Sequence, residues 1–145
     1  MKAMMSWSDM LSVGEPEIDE QHRSLIRLLN EAYEAMLDQC PRETTGRLLE
    51  DLDAYTRLHF RYEERYFGQF DESMRDSHLR AHAALERRLA ALRGRHAAGE
   101  PNVILHVVTF MRDWILNHVM KTDSRYRPFI QAAGHLPEAD QSTSD

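Results

Sequence analysis

The chain has 145 residues, 42% of them hydrophobic and 29% charged, which is typical of one globular domain with a buried core. Its formal net charge of −6 and the lack of a long basic run disfavour a nucleic-acid partner, because phosphates attract surfaces rich in Lys and Arg. No stretch approaches the roughly 20 apolar residues of a membrane span, and the N-terminus lacks the apolar core of a signal peptide, so we expect a cytoplasmic protein.

The N-terminal half of the sequence contains two segments with strong helical periodicity. An extended arm precedes the first helix, which we predict over residues 19–38, with Asp19 as its N-cap and Pro41 just beyond its end. The second helix is predicted over residues 42–67, and Gly68 is a suitable residue to end it.

The C-terminal half contains two further helical segments. The third helix is predicted over residues 72–98 and stops before Gly99. The fourth is predicted over residues 101–127, with Pro101 in its first turn. Strand patterns are nearly absent, so the fold class is all-α.

Short connections between long helices favour antiparallel neighbours. We therefore expect an up-down-up-down antiparallel four-helix bundle with an extended N-terminal arm, occupying residues 1–136. The polar residues 137–145 are expected to be disordered. Such a bundle can close its core alone, so we expect a monomer.

Histidine recurs on the apolar stripe of every predicted helix. Side chains three and four positions apart share a helix face, so these residues point into one core. The set is His22, His59, Glu63, His78, His82 and His118. A single histidine on such a stripe is more often an ordinary hydrogen-bonded core residue. Five together with a carboxylate would cost several kcal/mol without partners, whereas metal ions satisfy them together.

The donor set also discriminates between metals. Zinc takes about four ligands in a tetrahedron, and this core offers more than one such site needs. Calcium and magnesium prefer oxygen ligands. Iron or manganese in six-fold coordination suits mixed imidazole and carboxylate ligands better.

The order of these motifs resembles the hemerythrin family, in particular its bacterial single-domain members. The likeness covers about residues 6–130. The segments that carry it are Ile18-Asp19-Glu20-Gln21-His22, His59-Phe60-Arg61-Tyr62-Glu63-Glu64, His78-Leu79-Arg80-Ala81-His82 and Trp114-Ile115-Leu116-Asn117-His118 followed by Asp123.

This resemblance implies a non-haem di-iron centre with an oxo or hydroxo bridge between the two ions. By the family pattern, His78, His82 and His118 bind one iron, and His22 and His59 bind the other. The resemblance makes Glu63 and Asp123 the bridging carboxylates. Phe60, Trp114, Ile115 and Val119 match the positions that wall the family's oxygen pocket.

One spacing conflicts with a regular helix. His118 and Asp123 are five residues apart, which separates them by about 140° around the axis. Both can reach one metal pair only if the helix is locally widened. We therefore predict a π-type insertion within residues 119–124.

The ligand count indicates a function. The implied ligands leave one coordination position open, on the iron of His22 and His59, and one vacancy suits a small diatomic ligand. Ferritin-like di-iron proteins use four carboxylates and two histidines. Five neutral imidazoles and two carboxylates should favour lower oxidation states, so we expect reversible dioxygen binding for carriage, storage or delivery rather than enzymatic oxidation.

Three alternatives stay open at this stage. A sensor of oxygen, redox state or nitric oxide would use the same centre, although no output domain follows the bundle in this sequence. An enzyme that consumes peroxide or nitric oxide is a second possibility, and a purely structural bundle a third. A carrier would deliver dioxygen to an oxygen-consuming protein partner.

Four further residues are assigned no ligand role. We expect Glu64, which faces about 100° away from Glu63, to be a solvated charge. For His96, His106 and His135 we expect positions at the surface or behind the ligands.

Overall fold

The computed structural model describes residues 4–8, 11–67 and 72–117, and its regular structure within these ranges is entirely helical. The α-helices are α1 (Pro16–Leu37), α2 (Arg42–Phe67), α3 (Glu72–Ala97) and α4 (Val103–Trp114). Each helix packs against its neighbours in the chain, and α1 also packs against α4, which closes the ring. The predicted up-down-up-down four-helix bundle is confirmed.

Helix α1 begins three residues earlier than predicted. Glu15, not Asp19, is the N-cap, and its side chain accepts a hydrogen bond from the backbone N–H of Ile18 at 2.9 Å. Pro16 occupies the first helical position, where its missing N–H costs nothing. Asp19 instead lies in the first turn and accepts a hydrogen bond from the backbone N–H of Val13 at 2.9 Å.

Several contacts hold the N-terminal arm against α1, and Asn30 makes three of its hydrogen bonds. The side-chain oxygen of Asn30 accepts hydrogen bonds from the backbone N–H groups of Met4 and Met5, at 2.8 and 3.0 Å. Its amide group donates to the carbonyl of Met5 at 2.8 Å. Farther along the arm, the guanidinium of Arg23 lies 4.6 Å from the ring centre of Trp7. The arm therefore lies along the first helix.

Helix α4 differs from its prediction at both ends. It begins at Val103 rather than residue 101, because Asn102 adopts a left-handed conformation with φ 62° and places Pro101 in the preceding turn. Its α-helical part ends at Trp114, and residues 115–117 are π-helical. The predicted end at residue 127 and the predicted tail lie outside the described residues.

The bundle core has two regions along its axis. The leucine region is apolar and consists mainly of Leu25, Leu29, Leu48, Leu49, Leu52, Leu89, Leu92, Val107 and Met111. The histidine region is polar and contains His22, His59, Glu63, His78 and His82. Both regions lie on the same helix stripes, so one amphipathic pattern builds both. Within the described ranges, no helix is long and apolar enough to cross a membrane.

Candidate metal centre

Five side chains that the sequence predicted as metal ligands meet in the histidine region. All of them are at most 1% exposed to solvent: His22, His59, Glu63, His78 and His82. Helix α1 supplies one of them, α2 supplies two and α3 supplies two. They form two groups of potential ligand atoms that share Glu63, and the atoms within each group lie within 4.8 Å of one another.

Glu63 lies between two pairs of histidines. Its Oε2 atom is 3.2 Å from Nε2 of His22 and 3.2 Å from Nε2 of His59. Its Oε1 atom is 2.8 Å from Nε2 of His78 and 3.3 Å from Nε2 of His82. Each carboxylate oxygen therefore faces its own pair of imidazole nitrogens, on opposite sides of one side chain.

These distances fit ligands that share a metal ion. Two ligand atoms at about 2.1 Å from one ion, at right angles to each other, lie about 3.0 Å apart. The nitrogen-to-oxygen distances around the carboxylate range from 2.8 to 3.3 Å. An octahedral ion on each side of Glu63 would thus meet its nitrogen and oxygen ligands without a large displacement of the side chains.

The outer nitrogens of two rings have acceptors of their own. Nδ1 of His59 is 2.7 Å from the side-chain oxygen of Gln21, whose amide group donates to Glu17 at 3.1 Å. Nδ1 of His82 is 2.9 Å from Oε2 of Glu64. Metal-binding histidines commonly have such a partner on the nitrogen that faces away from the ion.

These acceptors favour the tautomers of His59 and His82 that carry the proton on Nδ1. A neutral imidazole has one N–H, so when His82 donates from Nδ1 to Glu64, its Nε2 presents a lone pair. That lone pair faces Oε1 of Glu63, and two acceptors repel each other unless a cation lies between them or the ring is doubly protonated. His59 is in the same situation, because Gln21 accepts from its Nδ1. Two buried imidazolium ions beside one carboxylate would be costly, so the geometry favours metal cations.

The expectation that Glu64 is a solvated charge was wrong. Helix α3 places the outer edge of His82 against the carboxylate of Glu64. The side chain of Glu64 is 28% exposed. Burial raises the pKa of Glu64 above its ordinary value, and the nearby carboxylate of Glu86 raises it further.

Gln21 is a second contributor that the sequence analysis did not assign. It is 3% exposed, and its side chain joins His59 to the surface residue Glu17. Gln21 precedes His22, just as Glu64 follows Glu63. A sequence signal did exist, because polar residues directly beside predicted ligands can reach a ligand on the neighbouring helix.

An aromatic wall adjoins the histidine region. The ring of Phe60 stacks on His82, with ring centres 3.8 Å apart and planes 6° from parallel. Trp114 meets the ring of Phe60 edge-on, with ring centres 5.6 Å apart. Both residues are buried, as is Ile115. A crevice beside Phe60 and Trp114 leaves no room for a water molecule.

The remaining predicted ligands follow the described part of α4. His118 and Asp123 lie outside the described residues, as does the predicted pocket residue Val119. The predicted π-type insertion over 119–124 also falls outside them and stays a prediction. The helix is already π-helical at residues 115–117, directly before His118.

The two described histidines without an assigned ligand role lie away from the centre. His106 is exposed on α4, and His96 is half-buried near the C-terminal end of α3. The backbone carbonyl of His96 accepts a hydrogen bond from the guanidinium of Arg42. His135 lies outside the described residues.

Comparison with known proteins agrees with this geometry. Residues 13–130 match the family model described as the hemerythrin HHE cation binding domain. A bacteriohemerythrin of Stenotrophomonas maltophilia is 30% identical over 130 residues, which are 90% of this chain and 84% of that protein. A bacteriohemerythrin of Methylococcus capsulatus is 28% identical over 131 residues, covering 90% of this chain and 99% of that protein.

Solved structures show the same relationship. A crystal structure of a hemerythrin mutant superposes with a TM-score of 0.80 at 27% sequence identity, and the match covers 88% of this chain and 97% of the other. Residues 13–130, which match the family model, include the four described helices and every ligand predicted from the sequence. The chain belongs to the hemerythrin family and carries that family's cation-binding domain.

Proposed function

We propose that this protein holds two iron ions in a non-haem centre and binds dioxygen there reversibly. The observation that carries the proposal is the position of Glu63, whose two oxygens face separate pairs of buried imidazole nitrogens. One ion could use only one of these pairs at ordinary bond lengths, whereas two ions would use both. The similarity to bacteriohemerythrins over most of the chain supports the same interpretation.

The proposed ligand roles follow the two sides of Glu63. His22 and His59 hold one ion, and His78 and His82 hold the other together with His118. Glu63 bridges the ions, and Asp123 is the second proposed bridge. This assignment leaves the ion of His22 and His59 with fewer protein ligands, so the open coordination position lies there.

Iron fits this donor set better than the alternatives, because the mixture of neutral imidazole and carboxylate suits a six-coordinate first-row ion. When bound, a pair of ferrous ions supplies the electrons that allow dioxygen to bind and to be released. The residues of the chain decide how far that chemistry proceeds. Neutral imidazoles stabilise the lower oxidation states more than carboxylates do, which favours release of intact dioxygen.

The aromatic wall, together with Ile115, has a separate role in this proposal. Phe60, Trp114 and Ile115 are buried and exclude water from one side of the centre. Water and protons would promote loss of reduced oxygen species, which leaves iron in the oxidised form. A dry wall therefore prolongs the oxygen-binding state. Val119, the fourth predicted residue of the pocket, belongs to the same proposal.

The test is an iron count per chain, combined with visible spectra recorded without oxygen, with oxygen and after oxygen removal. Two irons and an absorption band that appears with oxygen and disappears on its removal are expected. Two irons with irreversible oxidation would instead favour a sensor or a peroxide- or nitric-oxide-consuming enzyme. Zinc, or no metal, would overturn the proposal. The monomeric state, the cytoplasmic location and an oxygen-consuming partner stay predictions.

A further inference from the structure

The two sides of the centre differ in the groups behind their histidines. On one side, Nδ1 of His59 meets the neutral amide oxygen of Gln21 at 2.7 Å. The amide nitrogen of Gln21 donates to Glu17, which holds its oxygen towards His59. On the other side, Nδ1 of His82 meets the carboxylate of Glu64 at 2.9 Å. One imidazole therefore donates to a neutral group and the other to an acid.

Glu64 occupies a groove between α2 and α3. A cavity of about 280 Å³ opens there, lined among others by Glu64, His82, Glu86 and Leu79. The ring of His82 is only 1% exposed, because Phe60 covers one of its faces. Glu64 thus links a buried ring to a cavity at the surface. Glu86 contributes a second carboxylate to the same cavity.

We propose that Glu64 is a positioning residue of the metal centre, which orients His82 and strengthens it as an electron donor to its ion. This inference rests on the proposed function. By accepting a hydrogen bond from Nδ1–H of His82, Glu64 holds the ring in the tautomer whose Nε2 lone pair faces Glu63. With Phe60 stacked on the ring, both the rotation and the proton position of His82 are then determined.

The charge of the acceptor makes the two sides unequal. A hydrogen bond to a carboxylate is stronger than one to an amide, and it shifts more electron density onto the donating ring. His82 should therefore stabilise the oxidised form of its ion more than His59 stabilises the other. The ion of His78 and His82 gains tighter binding and a lower reduction potential.

Three variants test this proposal: Glu64→Ala, Glu64→Gln and Glu86→Gln. The first removes the acceptor, and the second keeps an acceptor oxygen without the charge. The third is the matched control, because it removes a carboxylate from the same cavity that forms no hydrogen bond or ion pair with His82. Ferrous iron affinity is measured by competition with a chelator in the absence of oxygen, and reduction potential by spectroelectrochemistry. Circular dichroism verifies that each variant folds.

For Glu64→Ala, one of the two irons should bind about 10- to 100-fold more weakly, the usual cost of losing a partner behind a metal ligand. Glu64→Gln should recover most of that affinity but show a higher reduction potential than the unmodified protein. Glu86→Gln should change both quantities much less than the Glu64 variants do, because Glu86 acts on His82 only through its charge on Glu64. If Glu64→Ala does not fold, the potential of Glu64→Gln decides the question.

The proposal is overturned if Glu64→Ala binds both irons normally, or if Glu86→Gln shifts the potential as much as Glu64→Gln does. An unmodified protein without iron would be a different result, because it refutes the proposed function itself. The two failures are therefore distinguished by the iron content of the unmodified chain.

Discussion

The leucine region and the histidine region lie on the same four helices but are stabilised differently. In the leucine region, side chains such as Leu25 and Leu52 are at most 1% exposed and contact other apolar groups. Their burial stabilises the fold without any other component. In the histidine region, the equivalent positions carry imidazoles and a carboxylate, whose burial is costly unless each group has a partner.

This difference separates folding from metal binding. The leucine region supplies the apolar contacts that bring the helices together. The stability it provides offsets the cost of burying polar groups in the histidine region. Damage to the first region should lower stability while the ligands stay in place. Damage to the second should abolish metal binding while the bundle stays helical. The following substitutions test that separation.

The largest effect is expected from Glu63→Gln. The substitution keeps the shape of the side chain but replaces one oxygen with an amide group, which cannot bind a metal ion alongside two imidazoles. We expect both irons to be lost, measured as iron per chain, with little change in the helical content seen by circular dichroism. Full iron content in this variant would show that the carboxylate does not bridge the two histidine pairs.

Leu52→Ala tests the other region. Leu52 lies on α2 two turns before His59, and its truncation should destabilise the protein by about 2 to 5 kcal/mol, because it leaves a cavity in the apolar core. Chemical denaturation of the iron-loaded protein measures this loss. Below the unfolding transition the iron content should equal that of the unmodified chain. Loss of iron from the folded variant would contradict the separation of the two regions.

Ile115→Ala tests whether Ile115 and the aromatic wall exclude water from the centre. Ile115 is fully buried at the start of the π-helical segment, and a smaller side chain there would admit water. We expect autoxidation of the oxygen-bound form to become several-fold faster, followed by visible absorption over time. Leu52→Ala is the control, since it also creates a cavity but lies in the leucine region. Equal rates in both variants would argue against a specific role for the wall.

The smallest effect concerns Glu15, the N-cap of α1. Burial raises its pKa above the ordinary 4.5, although hydrogen bonds from Ile18 and Tyr62 oppose that shift and the nearby Glu17 adds to it. The folded state therefore holds a proton that the unfolded state releases at lower pH, so the contribution of Glu15 to stability falls as pH rises above 4.5.

Glu15→Gln keeps an acceptor oxygen but removes this titration. Relative to the unmodified chain, the variant should gain stability as pH rises from 4 towards neutrality, in a series of denaturation experiments. A stability difference that does not depend on pH would show that the carboxyl of Glu15 has the same pKa in both states.

The sequence predicted the bundle and the grouping of Glu63 with the four described ligand histidines, because these follow from helix periodicity and the short connections between helices. It did not predict where α1 begins, since it placed the N-cap at Asp19, whereas Glu15 caps the helix. The choice depends on a tertiary contact, in which Asp19 accepts from Val13 in the arm. Local residue preferences do not contain that information.

Glu64 was misjudged for a related reason. A helical wheel gives the direction of a side chain but not what the neighbouring helix presents to it. Glu64 follows Glu63 by one residue on α2, and the outer nitrogen of His82 on α3 lies within hydrogen-bond distance of it. Which residue accepts a hydrogen bond from the outer nitrogen of a ligand histidine depends on the register between two helices, which a single sequence does not show.

The position of Glu63 has a consequence for the order of assembly. Its contact with His78 spans 15 residues, within the hairpin of α2 and α3, whereas its contact with His22 spans 41 residues and requires α1. By loop-closure entropy alone, the longer contact costs about 0.9 kcal/mol more. The α2–α3 hairpin can therefore bring Glu63, His78 and His82 together before the first helix docks. A complete chain refolding from the unfolded state would then form the site of His78 and His82 before that of His22 and His59, and metal loading would proceed stepwise during refolding.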